Sequence, residues 1–455
     1  MSDIPRKAVV RAARLATLPV GFAGRTALGL GKRLGGKPAE AVAAEMQART
    51  AAQLFRVLGE LKGGAMKVGQ ALSIFEAAFP EDLAGPYRAT LTRLQDSAPS
   101  LPARKVRQVL AAEFGPRWRS RFQEFSETPV AAASIGQVHR ARWKDGRDVA
   151  VKIQYPGAGP ALLSDLAQIS RAARVATAWV PGIDIKPILE ELMSRMSEEL
   201  DYRLEAAYQE AFAVGFEGDP HVFVPHVVAR AERVMVSEWV EGEPLSGVIA
   251  HGNRPQRDAA GQRYMEFLLA GPGRVGLLHA DPHPGNFRLM ADGRLGVIDF
   301  GAVNRLPGGL PPEMGQLLTR AIDGDAAGTL DGLRETGFLR AGIDVDADRL
   351  LEYLEPFIAP LRTDTFTFSR EWMREVFAHI NDPRRPNYTV GMRLNLPPQY
   401  LLIHRVWLGG IGVLCQVGST VTGRAMAEEH IPGTRLPPLR PRRRIPTRRR
   451  SPAPR

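Results

Sequence analysis

Two carboxylates and one carboxamide are spaced in this chain as phosphoryl transfer would need them. Asp281 and Asn286 share the stretch His279-Ala280-Asp281-Pro282-His283-Pro284-Gly285-Asn286, and Asp299 follows in Asp299-Phe300-Gly301. Phosphoryl transfer leaves a protein little covalent chemistry to do. It needs an acceptor oxygen held in line and divalent metal to neutralise the charge developing on the moving group. An Asp five positions ahead of an Asn lets one loop aim a base and a metal ligand at the same phosphate. Asp281 is therefore the candidate base, and Asn286 with Asp299 are candidate ligands for Mg2+ or Mn2+. Asp-Phe-Gly alone recurs by chance. Joined in register to the first motif by the strand-like Arg294-Leu295-Gly296-Val297-Ile298, it becomes specific.

Elements must exist to position these groups, and the upstream sequence supplies them. The two motifs stand in the order of the H-R-D-x-x-x-x-N and D-F-G pair of protein kinases. Asp148-Val149-Ala150-Val151-Lys152-Ile153 matches the V-A-I-K strand, in which one Lys is presented among apolar neighbours. Such a Lys is costly unless a phosphate or carboxylate meets it. Glu205 offers the carboxylate, on a charged run free of Pro and Gly from Glu190 to Glu210 that reads as one helix. On that helix Asp201 and Glu205 would share a face, with Glu199 about half a turn away. Without Lys152 the same run would read as a solvated acidic helix.

Where kinases carry a Gly-rich loop, this chain has Ala131-Ala132-Ala133-Ser134-Ile135-Gly136-Gln137-Val138. Alanines largely forbid the positive φ that lets a backbone wrap phosphate. Read alone, the run would start a helix. Its place one strand-turn-strand ahead of Lys152 argues for a loop covering the phosphates, with altered nucleotide preference. Met235 to Gly242 reads as a strand running into a hinge, whose backbone around Glu238 and Val240 would meet an adenine.

Together these residues resemble the UbiB/AarF family of atypical protein-kinase-like proteins, associated with coenzyme Q biosynthesis. The features that carry the resemblance are the Ala-rich run, Glu199-x-Asp201 ahead of Glu205, His283-Pro284-Gly285-Asn286, and Lys67-Val68-Gly69-Gln70 further upstream. It extends over residues 40–430. The resemblance implies an α+β, two-lobed protein-kinase-like fold with an N-terminal helical extension over the active site. Lys67 and Gln70 would lie on that extension as regulatory residues, near Glu199 and Asp201. It also implies binding of ATP or ADP with divalent metal, ATPase behaviour, poor protein phosphorylation, and isoprenoid, quinone-type lipid or quinone-pathway enzymes as partners. Without the resemblance, Lys67-Val68-Gly69-Gln70 is a helix with a tolerated Gly.

One observation supports a non-peptide acceptor independently. Between Gly301 and Pro311-Pro312-Glu313, the counterpart of A-P-E, lie nine residues with no Ser, Thr or Tyr. That is too short to order a peptide platform or to be switched by phosphorylation. A small molecule or water is the expected acceptor. The alternative is a non-catalytic, nucleotide-gated lipid-binding or scaffold protein; a conventional Ser/Thr protein kinase ranks third.

Composition sets the remaining bounds. The net charge of +11 sits in two arms: nine Arg and no acid from 435 to 455, and eight basic residues against Asp3 from 1 to 37. The residues between them are net acidic. The Arg- and Pro-rich tail reads as a disordered solubilising segment or as a contact for anionic lipid or nucleic acid, with no nucleic-acid module elsewhere. The N-terminal arm mixes apolar and basic residues in a way that suits an anionic membrane surface. Val406 to Gly423 is uncharged but polar and Gly-rich, and reads as a buried helix rather than a span. No signal peptide is expected, so the expected location is cytoplasmic and peripheral to a membrane. The single Cys415 excludes an internal disulfide. The expected division is a basic arm (1–37), a helical extension (38–117), a mixed lobe (118–241), a helical lobe (242–432) and a tail (433–455), with an extra helical insert over 158–179.

Overall fold

In a computed structural model, the structure describes residues 101–439 apart from Ser134, Ala158, 160–199, Ala341, Pro383, Pro386 and Asn387. Lys67, Gln70 and Glu199, the N-terminal arm, the insert and the end of the tail lie outside the described residues. The chain divides into two compact units. One comprises residues up to Gly309 with Phe368–Ala378 and Pro398–Thr420; the other comprises Leu310–Thr367, His379–Pro397 and residues from Val421 onward.

The first unit contains every described site residue. Its upper layer is a six-stranded antiparallel sheet in the order β1-β3-β4-β7-β6, with β2 also on β3. The strands are β1 (Phe122–Phe125), β2 (Ala131–Ala133), β3 (Gly136–Trp143), β4 (Asp148–Gln154), β6 (Val227–Arg230) and β7 (Val234–Glu238). Alternation along β4 sends Val149, Val151 and Ile153 into the core and turns Ala150 and Lys152 to the opposite face. That core includes Val106, Val109 and Leu110 of helix α1 (Ala103–Phe114). The sequence assigned α1 to the helical extension. Its apolar stripe packs on this sheet.

Helix α2 (Tyr202–Gly215) carries Glu205, and it starts later than the charge run suggested. Asp201 is its N-cap, in extended backbone, with its side chain accepting from Arg203 N at 2.9 Å. Asp201 therefore does not share a helical face with Glu205, because a carboxylate satisfies an orphan N–H more readily at a cap than inside the helix.

Below come the short strands β5 (Val222–Phe223) and β8 (Glu243–Pro244), then helices α3 (Leu245–His251) and α4 (Arg254–Val275). An Asn253/Gln256 capping box opens α4, and Gly276 closes it with φ of 65°. Strands β9 (Leu277–His279), β10 (Phe287–Leu289), β11 (Leu295–Val297) and β12 (Val303–Arg305) follow. β10 and β11 pair antiparallel in a four-stranded sheet with β5 and β8, and β12 pairs with β9. The second unit is mainly helical. Its α5 (Pro312–Asp323), α6 (Ala326–Glu335) and α7 (Ala347–Ile358) include a core around Leu330, Leu339, Leu350 and Val390.

Of the uncharged stretch, residues 406–417 lie in the largely buried helix Leu401–Val417, ended by Gly418 with φ of 71°, while Thr420–Val421 form a short strand. Cys415 is buried there, which raises its thiol pKa. Among the described residues no helix is long and apolar enough to cross a membrane.

The sheet also buries a histidine. Leu101 N donates to Gln137 Oε1 at 2.7 Å, which orients the amide so that Gln137 Nε2 donates to His139 Nε2 at 2.8 Å. His139 Nδ1 then donates to the Ser126 carbonyl at 2.8 Å, so the ring is held as one neutral tautomer. Burial lowers its pKa, outweighing the opposing effect of the Ser126 bond. In the unfolded chain His titrates near about 6.5. As pH falls through that value the unfolded state takes up a proton that the folded state refuses, so stability is lost on acidification and level above it. Urea unfolding should show a lower midpoint at pH 5.5 than at 7.5, with a smaller difference in His139→Asn. Equal pH dependence in both proteins would refute this.

Candidate active site

The turn of β4 that exposes Lys152 to the face opposite the core is met by two carboxylates. Lys152 Nζ donates to Glu205 Oε1 at 2.5 Å and to Asp299 Oδ2 at 3.2 Å. It also lies 5.2 Å from the centre of the Tyr202 ring. The lysine side chain is 11% exposed, Glu205 2% and Asp299 29%. Burial alone would lower the lysine pKa, but the charges of Asp299 and Glu205 outweigh it and hold it well above the usual lysine range. The ammonium is therefore fixed as a cation between the two carboxylates.

Asp299 is held from both sides. Its Oδ1 accepts from Gly301 N at 2.9 Å, and its carbonyl accepts from His279 Nε2 at 2.6 Å. The His279 ring lies 5.4 to 5.6 Å from the rings of Phe300, Phe267 and Phe287. Antiparallel pairing of Val303 with His279, extended by Ala280 N to Ala302 O at 2.9 Å, ties the start of the Asp281 loop to the segment after Gly301.

The loop is pinned at two further points. Tyr264 of α4 is fully buried and donates its hydroxyl to Pro282 O at 2.7 Å. Burial, with the Asp281 charge adding, pushes its phenol well above the usual range. Asn286 Nδ2 donates to Asp281 O at 3.1 Å, the amide orientation that offers a cation its oxygen rather than its nitrogen. Ile298 N donates to Asn286 O at 2.9 Å, placing Asn286 beside the strand that delivers Asp299.

The donor chemistry fits Mg2+ or Mn2+ bound with a nucleotide. A carboxylate and an amide oxygen are hard donors, and Mg2+ is typically held by one or two protein oxygens while substrate phosphates and water complete its shell. Among the described residues no cluster of three His, Cys, Asp or Glu could hold a metal without such help.

The first three residues of the Ala-rich run are a strand. Ala131, Ala132 and Ala133 form β2, paired opposite Val138, Gln137 and Gly136. Alanine favours the extended pairing where glycines would allow a wrapped turn. A Cβ at Gly136 would meet Ile153 O at 2.4 Å and the Tyr202 hydroxyl at 2.8 Å, so glycine is required for close packing and not for positive φ. Ile135 turns into a cluster with Tyr202, Ala206 and Met235, and its carbonyl accepts from Tyr155 N at 2.8 Å. Val138 stands opposite Lys152 in the sheet. At the hinge the Glu238 carboxylate joins Arg147 Nη1 at 3.1 Å and His226 N at 3.2 Å, and Val240 is buried. Ser134, Lys67, Gln70 and Glu199 lie outside the described residues.

Lys152, Glu205 and Asp299 thus meet directly, and Asp281 and Asn286 share one pinned loop. Sequence reasoning did not pick out Tyr264, Tyr202 or the His279 bond to Asp299. His279 was legible from its place in the motif. Tyr264 gave no signal, because its contact is tertiary.

A model of the ABC1 atypical kinase-like domain matches residues 93–331. The chain is 31% identical to the mitochondrial atypical kinase coq-8 of Caenorhabditis elegans over 358 residues, 74% of this chain and 46% of that protein. It is 28% identical to the mitochondrial atypical kinase COQ8 of Saccharomyces cerevisiae over 379 residues, 80% of this chain and 72% of that protein. Among solved structures, Rv3197 of Mycobacterium tuberculosis in complex with erythromycin is 44% identical, with a TM-score of 0.68 over 88% of this chain and 100% of that one. The chain spans about half the length of several curated relatives it matches.

Removing only one side of a buried ion pair strands the other. Lys152→Met should cost about 3–5 kcal/mol in urea unfolding, and Lys152→Met with Glu205→Leu should recover most of it. Equal stability of the single and double variants would show that Glu205 does not depend on Lys152.

Proposed function

Because the chain belongs to the ABC1 (UbiB/AarF) family of atypical kinase-like proteins, we propose that it is a phosphoryl-transfer enzyme of the atypical kinase/ATPase type. It would bind ATP or ADP with Mg2+ or Mn2+ and serve isoprenoid quinone or related lipid metabolism. The observation that carries this reading is Lys152 bridging Glu205 and Asp299 beside a loop that presents Asp281 and Asn286.

In this reading Glu205 holds the Lys152 ammonium extended so that it can donate to a nucleotide phosphate. Asp299 and the Asn286 amide oxygen would hold the cation, which when bound would neutralise charge building on the transferring group. Asp281 accepts the proton of the attacking hydroxyl or water. The bond at Pro282 keeps that carboxylate from drifting with its loop. β2 covers the phosphates, and the backbone at Glu238 and Val240 receives the adenine. The nine residues from Ala302 to Leu310 favour a small acceptor or water over a peptide.

A second reading is supported by the solved relative with erythromycin, which binds an amphipathic small molecule. This chain would then be a nucleotide-responsive binding protein for a ligand of that kind, without turnover.

Steady-state ATP hydrolysis, measured with Mg2+ and with or without a detergent-solubilised isoprenoid or phenolic lipid, separates the two. Asp299→Asn should abolish metal-dependent hydrolysis, and Asp281→Asn should lower kcat by roughly 100-fold, the scale of a lost general base. Equal hydrolysis by wild type and Asp299→Asn would sink the enzyme reading. Erythromycin raising the melting temperature only when nucleotide is present, with no turnover, would favour the second.

A further inference from the structure

We infer that Arg305 is a positioning residue for the Lys152–Glu205 pair, acting through Tyr208 of α2. The inference rests on the phosphoryl-transfer reading of the site. Arg305 Nε donates to the Tyr208 hydroxyl at 3.1 Å, and its guanidinium carbon lies 5.6 Å from the centre of the Tyr208 ring. Tyr208 is three residues after Glu205 on the same helix, so the two share a side of α2. One turn further on, the Phe212 ring lies 5.1 Å from the Phe300 ring.

The other end of this strut is anchored in the catalytic loop's own sheet. Arg305 pairs with Leu277 on β9, two positions before His279, and Leu306 N donates to Gly276 O at 2.7 Å. α2 is thus joined to β12 by the Arg305 guanidinium, and to Phe300 of Asp299-Phe300-Gly301 by a tilted ring contact one turn further on. Gln209 Nε2 donating to Pro225 O at 2.8 Å and Val227 N donating to Glu210 Oε2 at 2.9 Å also hold α2, but neither bond reaches β12. Without Arg305 the Glu205 side of the helix loses its polar link to that strand. In kinases whose activation segment is phosphorylated, phosphate–Arg contacts order that segment. Here no Ser, Thr or Tyr stands between Ala302 and Leu310 to receive a phosphate. Arg305 and Tyr208 supply a permanent tether in its place.

Amide hydrogen exchange on the full chain tests this, comparing wild type, Arg305→Gln and Tyr208→Phe. Arg305→Gln should speed exchange across α2 by about tenfold, the scale of one lost bond to a charged donor, and leave β4 and α4 unchanged. Tyr208→Phe keeps the ring and loses the acceptor, so it should give the same local effect at smaller size; it decides the matter if Arg305→Gln does not fold. For turnover, kcat should fall about tenfold while KM for ATP stays within about twofold. Unchanged α2 exchange overturns the assignment whatever the turnover. So does protection lost equally from β4, α4 and α2, since that is general destabilisation. Absence of ATP hydrolysis in wild type would refute the phosphoryl-transfer reading alone, because the exchange result stands without it.

Discussion

A lysine ammonium buried against two carboxylates is the constraint from which the site's geometry follows. Taking such charges out of water costs several kcal/mol per ion, and attraction repays this only when geometry and hydrogen bonds are good. Lys152 therefore specifies an arrangement more than it stabilises one. β4 must alternate so that Lys152 leaves the core, α2 must arrive with Glu205, and the turn after β11 must deliver Asp299. Two carboxylates against one ammonium leave the cluster net negative. A nucleotide phosphate alone would meet repulsion from Asp299. A divalent cation held by Asp299 would offset that repulsion, so a nucleotide would bind more readily with metal than without it.

Much of this was legible in the sequence, because period and spacing encode it. The alternation Val149, Val151, Ile153 exposes Lys152 as the exception on its strand, and the interval from Asp281 to Asn286 survives as one pinned loop. Where the reading failed, tertiary context overrode local pattern. One miss is local instead: the acidic run around Glu205 reads as one helix, yet Asp201 is an N-cap and marks where α2 begins. The alanine run read alone suggests a helix start, but Ala131–Ala133 pair with β3 as a strand, which nothing in their own propensity announces. Nothing in the residues of α1 names the sheet on which its apolar stripe packs. The Tyr264 bond to Pro282 joins residues on different elements, and no spacing rule anticipates it.

The segment after Gly301 shows how backbone pairing can replace a switch. In a phosphorylation-controlled kinase the corresponding loop is long and conditionally ordered. Here the chain enters β12 within two residues of Gly301, and its pairing with β9 orders it without a ligand. The same pairing holds Val303 opposite His279, whose ring nitrogen fixes the Asp299 carbonyl, so the strand that replaces the loop also sets the carboxylate beside Lys152. Control of such a site cannot rest on folding or melting that segment alone without also disturbing Asp299. It must act on what reaches Lys152 and Asp299.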